Sequence, residues 1–574
     1  MAYNCGLKQS FAKFDLVRPV VSFRSFCARW GVLVGLAAFV LAGGAALGKT
    51  SARARNNREG QDDGVAQFSA RVDAALSEAR AQKAFWGILV ADRDTGKTLY
   101  ELNANKFFAP ASNAKLFTTS LALATLGPDY RYRTTLESSS PLSAEGKLSG
   151  DLILVGRGDP DLSNRVFPYD QKAERDGAPE KVIAELADAA VAKGLKEVDG
   201  DIVADDTYYP YDPYPAGWVV GDLFFSFGAP VSAIDYNDNI VGIDVVPGAK
   251  TGDPVELAVQ PAAARESFDA QVATSASGTK PDLAVVREPG PNFILLRGAV
   301  PGGGAAVHLE LAMTQPAETA GRSLKDLLEA RGVIVRGAVR AQHSPPPVVD
   351  AQGLPGPPDV PQDPQPNRTV LAEHLSPTLL ESIRLTNKIS QNLHAEMFLR
   401  EVGRQKYGTG STAAGLFVER DFLRTIGIAD GDVVLTDGSG LSPQDLVTPQ
   451  AVVTLLLYAK TQPWGADFVS TLPIAGVDGT LQNRFNSGPG TGLIHAKTGS
   501  IANVRAISGY ATSLRGESLV FCIFGNNNPQ HGTDATLTID AIAAAMVDSL
   551  GPAASAPKTA TLRHARHSIR TSAD

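Results

Sequence analysis

The sequence predicts a mixed α/β (α+β) protein in which a domain with a helical part and an antiparallel sheet carries inserted β-rich domains. Strand-like runs at residues 86–92 and 97–102 are joined by Arg93-Asp94-Thr95-Gly96, a tight turn with glycine where φ must be positive. Two more strand-like runs, 505–512 and 518–525, precede helical spacing over 534–550 near the other end. Between them, from about 130 to 342, the pattern changes to short β-like runs broken by Gly, Pro and Asp.

Taken in order, Phe68, Val72, Ala75 and Leu76 have the spacing of a first helix within 67–83. After the 86–102 hairpin comes Phe108-Ala109-Pro110-Ala111-Ser112, and a helix is predicted over 113–126, stopping at Gly127-Pro128. Ser112 thus falls at the entrance to a buried helix. Candidate strands follow at 147–155, 197–204, 239–246, 292–300 and 306–313, with one helical stretch at 323–331. Residues 344–367 (SPPPVVDAQGLPGPPDVPQDPQPN) read as an extended proline-rich loop or linker. Helical spacing returns over 377–402. The strands at the two ends are expected to close one sheet around the insertion. The resulting organisation is a discontinuous domain, 65–138 with 372–551, an insertion over 139–343 forming two β-rich domains, the loop 344–367, and a disordered tail over 552–574.

A chain of 574 residues exceeds the length at which one core stops growing, about 250–300 residues, so several domains are expected. With 44% hydrophobic and 20% charged residues, most of it is able to bury cores. A net charge of -8 excludes the broad basic surface that nucleic acid requires, and no nucleic-acid partner is expected. Lys8, Lys13, Arg18, Arg24 and Arg29 precede an uncharged run over 30–48, the layout of a secretory signal, so residues 1–48 read as a signal peptide and the chain as exported. That run also approaches the about 20 residues of a membrane anchor, which is what the leader becomes if it is not cleaved. Cys5 and Cys27 lie in the leader; Cys522, in the strand-like SLVFCIFG, reads as a small hydrophobe. The eight histidines show no His-x-x-x-His spacing, so the sequence offers a zinc site no basis, and neither metal nor cofactor is expected.

Ser-x-x-Lys starts at Ser10, Ser112, Ser277 and Ser555, and Lys-Thr-Gly at Lys250 and Lys497, so neither motif is informative alone. A serine nucleophile activated by lysine needs the two side chains on one face of one helical turn. Ser112 and Lys115 meet that requirement. Ser10 lies in the leader, the Ser277 copy runs into Pro281, and the Ser555 copy contains Pro557. Ser390-Gln391-Asn392 follows Ser112 by 278 positions in a region of helical pattern, and Lys497-Thr498-Gly499 comes after that on a strand-like segment suited to a cleft edge. Taken singly, each has a plain structural reading as a cap, a solvated helix residue or a strand edge.

The order Ser-x-x-Lys, Ser-x-Asn, Lys-Thr-Gly resembles that of serine β-lactamases and penicillin-binding proteins. With PASNAKL at 110–116, GDP at 158–160, AIDYNDN at 233–239, NKISQNLHAE at 387–396, DGSGLS at 437–442, LPIAGVDGTL at 472–481 and HAKTGS at 495–500, the chain is similar to penicillin-binding protein 4-type D-alanyl-D-alanine carboxypeptidases/endopeptidases over about 68–550. One departure is Gln391, where the family more commonly has Asp. The resemblance implies a β-lactamase/transpeptidase-like domain with domains inserted after the Ser112 helix. It implies that Ser112 is the nucleophile, Lys115 the base, and Ser390 the group passing a proton to the leaving group. Asn392 would hold the substrate amide; Lys497, Thr498 and Gly499 the substrate's terminal carboxylate; Ser112 and Ser500 backbone N–H groups the oxyanion. Asp159 is a candidate for contact with the substrate peptide. The implied partners are a peptidoglycan stem peptide ending in D-Ala-D-Ala and β-lactam inhibitors, and the implied setting is the periplasm. A β-lactamase shares the constellation but has a much shorter gap between its first two motifs; an inactive peptidoglycan-binding scaffold has no need of Ser112, Lys115, Ser390 and Lys497 together.

Overall fold

Runs of apolar residues from both ends of the chain pair into one antiparallel sheet, in the order Ile494–Ile501, Val504–Thr512, Ser518–Asn526, Phe85–Asp92, Thr98–Leu102. The computed structural model describes residues 63–287, 293–350, 353–356, 368–486, 488–529 and 532–551. The expected signal peptide with Cys5 and Cys27, the tail 552–574 and much of the proline-rich loop lie outside the described residues.

Successive side chains of a strand face opposite sides, and the sheet is buried on both. Ile88, Val90, Phe521 and Ile523 meet Phe68 and Val72 of the first helix and Ile539, Ile542 and Met546 of helix Asp534–Ser549. The residues between, Leu89, Val520, Cys522 and Phe524, join a second core with Phe117 of helix Ala114–Leu126 and Leu456 of helix Pro449–Ala459. Cys522 is fully buried there, and burial pushes its thiol pKa up, so it acts as the small hydrophobe the sequence suggested. Leu456→Ala is expected to lower stability by about 2–5 kcal/mol through the cavity it leaves. The urea midpoint, followed by tryptophan fluorescence, should fall clearly for Leu456→Ala and much less for Leu457→Ala, whose side chain is only partly buried.

The insertion is more than β-rich. Its main sheet runs Val339–Ser344, Ile202–Pro210, Leu152–Val155, Arg133–Ser138, Thr369–Leu375. The first three strands are parallel and the last two antiparallel. Helices Lys181–Ala192 and Pro316–Ala330 pack against it through Ile183, Leu186, Ala320 and Leu324. The first of these was not expected: its alanine-rich stretch lies in a β-like region, and its apolar face is set by the sheet beneath. Two three-stranded sheets, one around Ile240–Val246 and one around Phe293–Pro301, share the same core through Ile243, Ile294 and Leu296. Because Arg133–Ser138 pairs with Thr369–Leu375, the expected cuts at 138 and 372 pass through the inserted module's own sheet. Pairing between strands more than two hundred residues apart leaves no local trace in the sequence. Among the described residues no helix is long and apolar enough to cross a membrane.

Candidate active site

Ser112 stands in the middle of a single turn of 3-10 helix, Ala111–Asn113, that leads into Ala114–Leu126. Its hydroxyl caps no backbone N–H. Instead, Lys115, one turn on, brings Nζ to 2.9 Å from Ser112 Oγ. Ala111, just before Ser112, has φ 47°, a left-handed conformation that costs a non-glycine residue about 1–2 kcal/mol. It is held there by a turn at 437–440. Asp437 accepts backbone N–H groups of Ser439, Gly440 and Ser442 and the Trp218 indole N–H, and Glu396 accepts the N–H of Gly438.

Lys115 is fully buried. Burial drives its pKa down from 10.5 to about 7, against the opposing pull of Asp437, Glu396 and Asp445. Nζ also lies 2.6 Å from Asn392 Oδ1 and 2.7 Å from the Ser439 carbonyl. A neutral amine has two N–H groups and one lone pair. Two carbonyl acceptors take the two N–H groups, so the lone pair is left facing the Ser112 hydroxyl, which then donates.

The helical run expected over 377–402 is two helices, Leu379–Ile389 and Asn392–Tyr407. They break at Ser390, whose φ of 67° turns its side chain into the cleft. Gln391 caps the second helix, its side-chain oxygen accepting the Leu393 N–H at 3.2 Å, which is the task an Asp would perform at this position. Asn392 is fixed at both ends: Oδ1 accepts from Lys115, and Nδ2 donates to the Phe227 carbonyl of the insertion at 2.8 Å.

Lys497 lies on the sheet's edge strand, fully buried, with Nζ 2.7 Å from Ser390 Oγ and 3.0 Å from the Thr498 carbonyl. Burial and the facing Lys115 both hold its pKa well below the usual lysine range. Thr498 Oγ1 is 2.7 Å from Thr480 Oγ1. Gly499 is a close-approach position, since a Cβ there would sit 2.7 Å from the Pro110 carbonyl. Asn113 ties this strand to the Ser112 turn by donating to the Lys497 carbonyl at 3.2 Å. Ser500, one residue on, is exposed.

Seven of the sequence-predicted residues, Ser112, Lys115, Ser390, Asn392, Lys497, Thr498 and Gly499, therefore share one connected cluster, with Ser500 on the same edge strand. Asp159 does not join them. Its side chain is fully buried, accepts the Asp161 N–H and stands 3.8 Å from His374, so it has no surface to offer a peptide. Two partners escaped the sequence. The Ser439 carbonyl carries no side-chain signal, although the DGSG turn that presents it was visible. Trp218 had no motif at all.

An antiparallel sheet flanked by helices, with a serine and two buried lysines at one edge, defines the class of active-site serine peptidases that penicillin-binding proteins exemplify. The chain belongs to the D-Ala-D-Ala carboxypeptidase 3 (S13) family, whose model matches residues 68–547. It is 34% identical over 492 residues to a D-alanyl-D-alanine carboxypeptidase of Actinomadura sp. (strain R39), 84% of each chain being covered. It is 28% identical over 445 residues to the D-alanyl-D-alanine carboxypeptidase DacB of Haemophilus influenzae, covering 77% of this chain and 85% of that one. The crystal structure of penicillin binding protein 4 from Haemophilus influenzae superposes with a TM-score of 0.68 at 25% identity, over 82% of this chain and 97% of that one. The protein is thus a serine-type D-Ala-D-Ala carboxypeptidase by family, and the expected transpeptidase-like architecture is the one observed.

Proposed function

We propose that Ser112 carries the acyl-transfer step on peptidoglycan stem peptides ending in D-Ala-D-Ala. The observation that carries this reading is the 2.9 Å contact between Ser112 Oγ and a fully buried Lys115, whose pKa burial lowers to about 7. Ser112 Oγ attacks the carbonyl of the penultimate D-alanine while its proton passes to Lys115 Nζ. Backbone N–H groups of Ser112 and Ser500 receive the oxyanion. Ser390 delivers a proton to the departing nitrogen and recovers one from the protonated Lys115, and the C–N bond breaks to leave an ester on Ser112. Water then hydrolyses the ester. The leaving amine is the terminal D-alanine in the carboxypeptidase reaction and a cross-linked stem peptide in the endopeptidase reaction.

Asn392 has one N–H left for the substrate amide after meeting Phe227. Lys497 and Thr498 face the terminal carboxylate. An incoming carboxylate favours the charged form of Lys497, and that charge in turn disfavours protonation of Lys115, so substrate binding itself keeps the base neutral. A β-lactam presents the same carboxylate and a strained amide, and is expected to acylate Ser112 and leave slowly. The basic residues followed by an uncharged run over 30–48 support a setting outside the cytoplasm, in the periplasm.

Labelling of the tag-free exported chain with a fluorescent penicillin tests the assignment. Wild type should carry one penicillin per chain by intact mass and Ser112→Ala none. An adduct that persists in Ser112→Ala rejects Ser112 as the nucleophile, and rapid turnover of penicillin without an adduct makes the chain a β-lactamase.

A further inference from the structure

Behind the cluster, where the insertion touches helix Asn392–Tyr407, lie Asp235, Asp238 and His394. All three side chains are buried, with at most 1% exposure. His394 Nε2 is 3.3 Å from Asp238 Oδ1 and 3.7 Å from Asp235 Oδ2. One nitrogen or oxygen from each residue falls within 4.8 Å of the other two. Donors that share one ion at about 2.0–2.4 Å are spaced in this way.

The surroundings hold more buried carboxylates than paired cations. Arg165 and Arg175 both bond Asp238 through Oδ2, and Arg165 is shared with Glu174. Asp159 and Asp161 are buried alongside. Both guanidinium groups pair with Asp238, and among the described residues neither forms an ion pair with the other three buried carboxylates. Among the described residues neither oxygen of Asp235 accepts a hydrogen bond, nor does one oxygen each of Asp159 and Asp161, although His394 and His374 lie 3.7 and 3.8 Å from Asp235 and Asp159. A buried carboxylate without hydrogen bonds is costly, which a proton or a cation must offset. The segment that presents the two ligands is itself strained: Asn237, Asp238 and Asn239 have φ of 56°, 55° and 52°. Asp238 also lines a cleft of about 420 Å³ that opens beside Ser390 and Asn392, giving an ion a route in.

We propose that Asp235, Asp238 and His394 bind one divalent transition-metal ion. One imidazole with two carboxylates suits Mn²⁺ or Zn²⁺, whereas an all-oxygen shell would suit Ca²⁺ or Mg²⁺. The ion takes no part in acyl transfer. It clamps the insertion to the first turn of the helix that carries Asn392, two residues before His394, and so positions the acceptor of Lys115. Local spacing in the sequence hides this site because His394 lies 156 residues from Asp238.

The test uses the tag-free exported chain, stripped with EDTA, supplied in turn with Mn²⁺ and Zn²⁺, and gel-filtered. Metal content by mass spectrometry should show about one ion retained per chain, with a melting temperature raised by several degrees. Asp235→Asn and His394→Gln should each weaken retention by at least about tenfold. Stoichiometric penicillin labelling of each variant shows that it has folded, and the wild-type titration stands without them. Wild-type protein that retains neither metal and melts at the same temperature with and without them overturns the proposal, leaving His394 as a hydrogen-bond partner of Asp238. Retention unchanged in both labelled variants overturns it equally.

Discussion

Lys115→Met is expected to lower the rate of Ser112 acylation by about 10²- to 10⁴-fold, the usual worth of a positioned general base. The substitution keeps an unbranched side chain out to Cε, with sulfur in place of Cδ, and removes the amine. It also strips a donor from Asn392 Oδ1 and from the Ser439 carbonyl, so circular dichroism should accompany the kinetics. The pH dependence makes the test specific. The acting form is the neutral amine and burial has brought the pKa to about 7. The wild-type acylation rate should therefore climb as pH rises through about 7 and level off above it, where an ordinary lysine would still be charged. Lys115→Met should be slow and lack that step. A folded Lys115→Met that acylates within tenfold of wild type, with the same profile, would place the base elsewhere.

Gly440→Ala should be nearly as damaging although residue 440 touches no substrate. A Cβ at 440 would fall 1.9 Å from the Ala111 carbonyl oxygen, and the φ of 76° is itself unfavourable for alanine. The turn must retreat, and it retreats from the residue that precedes Ser112. A displacement of about 1 Å in a reacting group costs on the order of 100-fold in rate, and that loss is expected in acylation together with a lower melting temperature. Gly96→Ala supplies the comparison. Its φ of 71° carries a similar backbone cost, but the nearest atom to a new Cβ is Leu457 Cδ1 at 3.7 Å, so stability should fall by about 1 kcal/mol with acylation unchanged. Equal acylation rates for Gly440→Ala and wild type would mean that the 437–440 turn does not hold Ala111 in place.

Ser112 and Lys115 were readable in the sequence because three residues of helix bring them together, and Lys497 because an edge strand has a recognisable pattern. Distance along the chain did not hide Ser390, since its motif is self-contained. What stayed hidden depends on backbone or on long-range pairing. The Ser439 carbonyl bonds Lys115 through an atom that every residue possesses. The junction of Arg133–Ser138 with Thr369–Leu375 follows from sheet register, which neither strand encodes alone. The helix break at Ser390 was missed because both flanking segments have the same helical spacing and the left-handed residue between them is not glycine. Asp159 was singled out as part of a Gly-Asp-Pro turn, and its burial comes from neighbours such as His374, far away in sequence.

The pairing of Arg133 with Leu375 has a consequence for how such a protein is assembled. Residues opposite each other in an antiparallel ladder are only about 5 Å apart, so the chain leaves the catalytic half and returns to it at nearly the same point. A short turn in place of residues 134–374 would rejoin the two ends with no strain, which makes the insertion a topological appendix of the kind that recombination adds and removes. Chemically it is nothing of the sort. Excision would take away the Phe227 carbonyl that holds Asn392 and the Trp218 indole that holds Asp437. A reading frame could shed this module in one step; the lysine that depends on it could not follow.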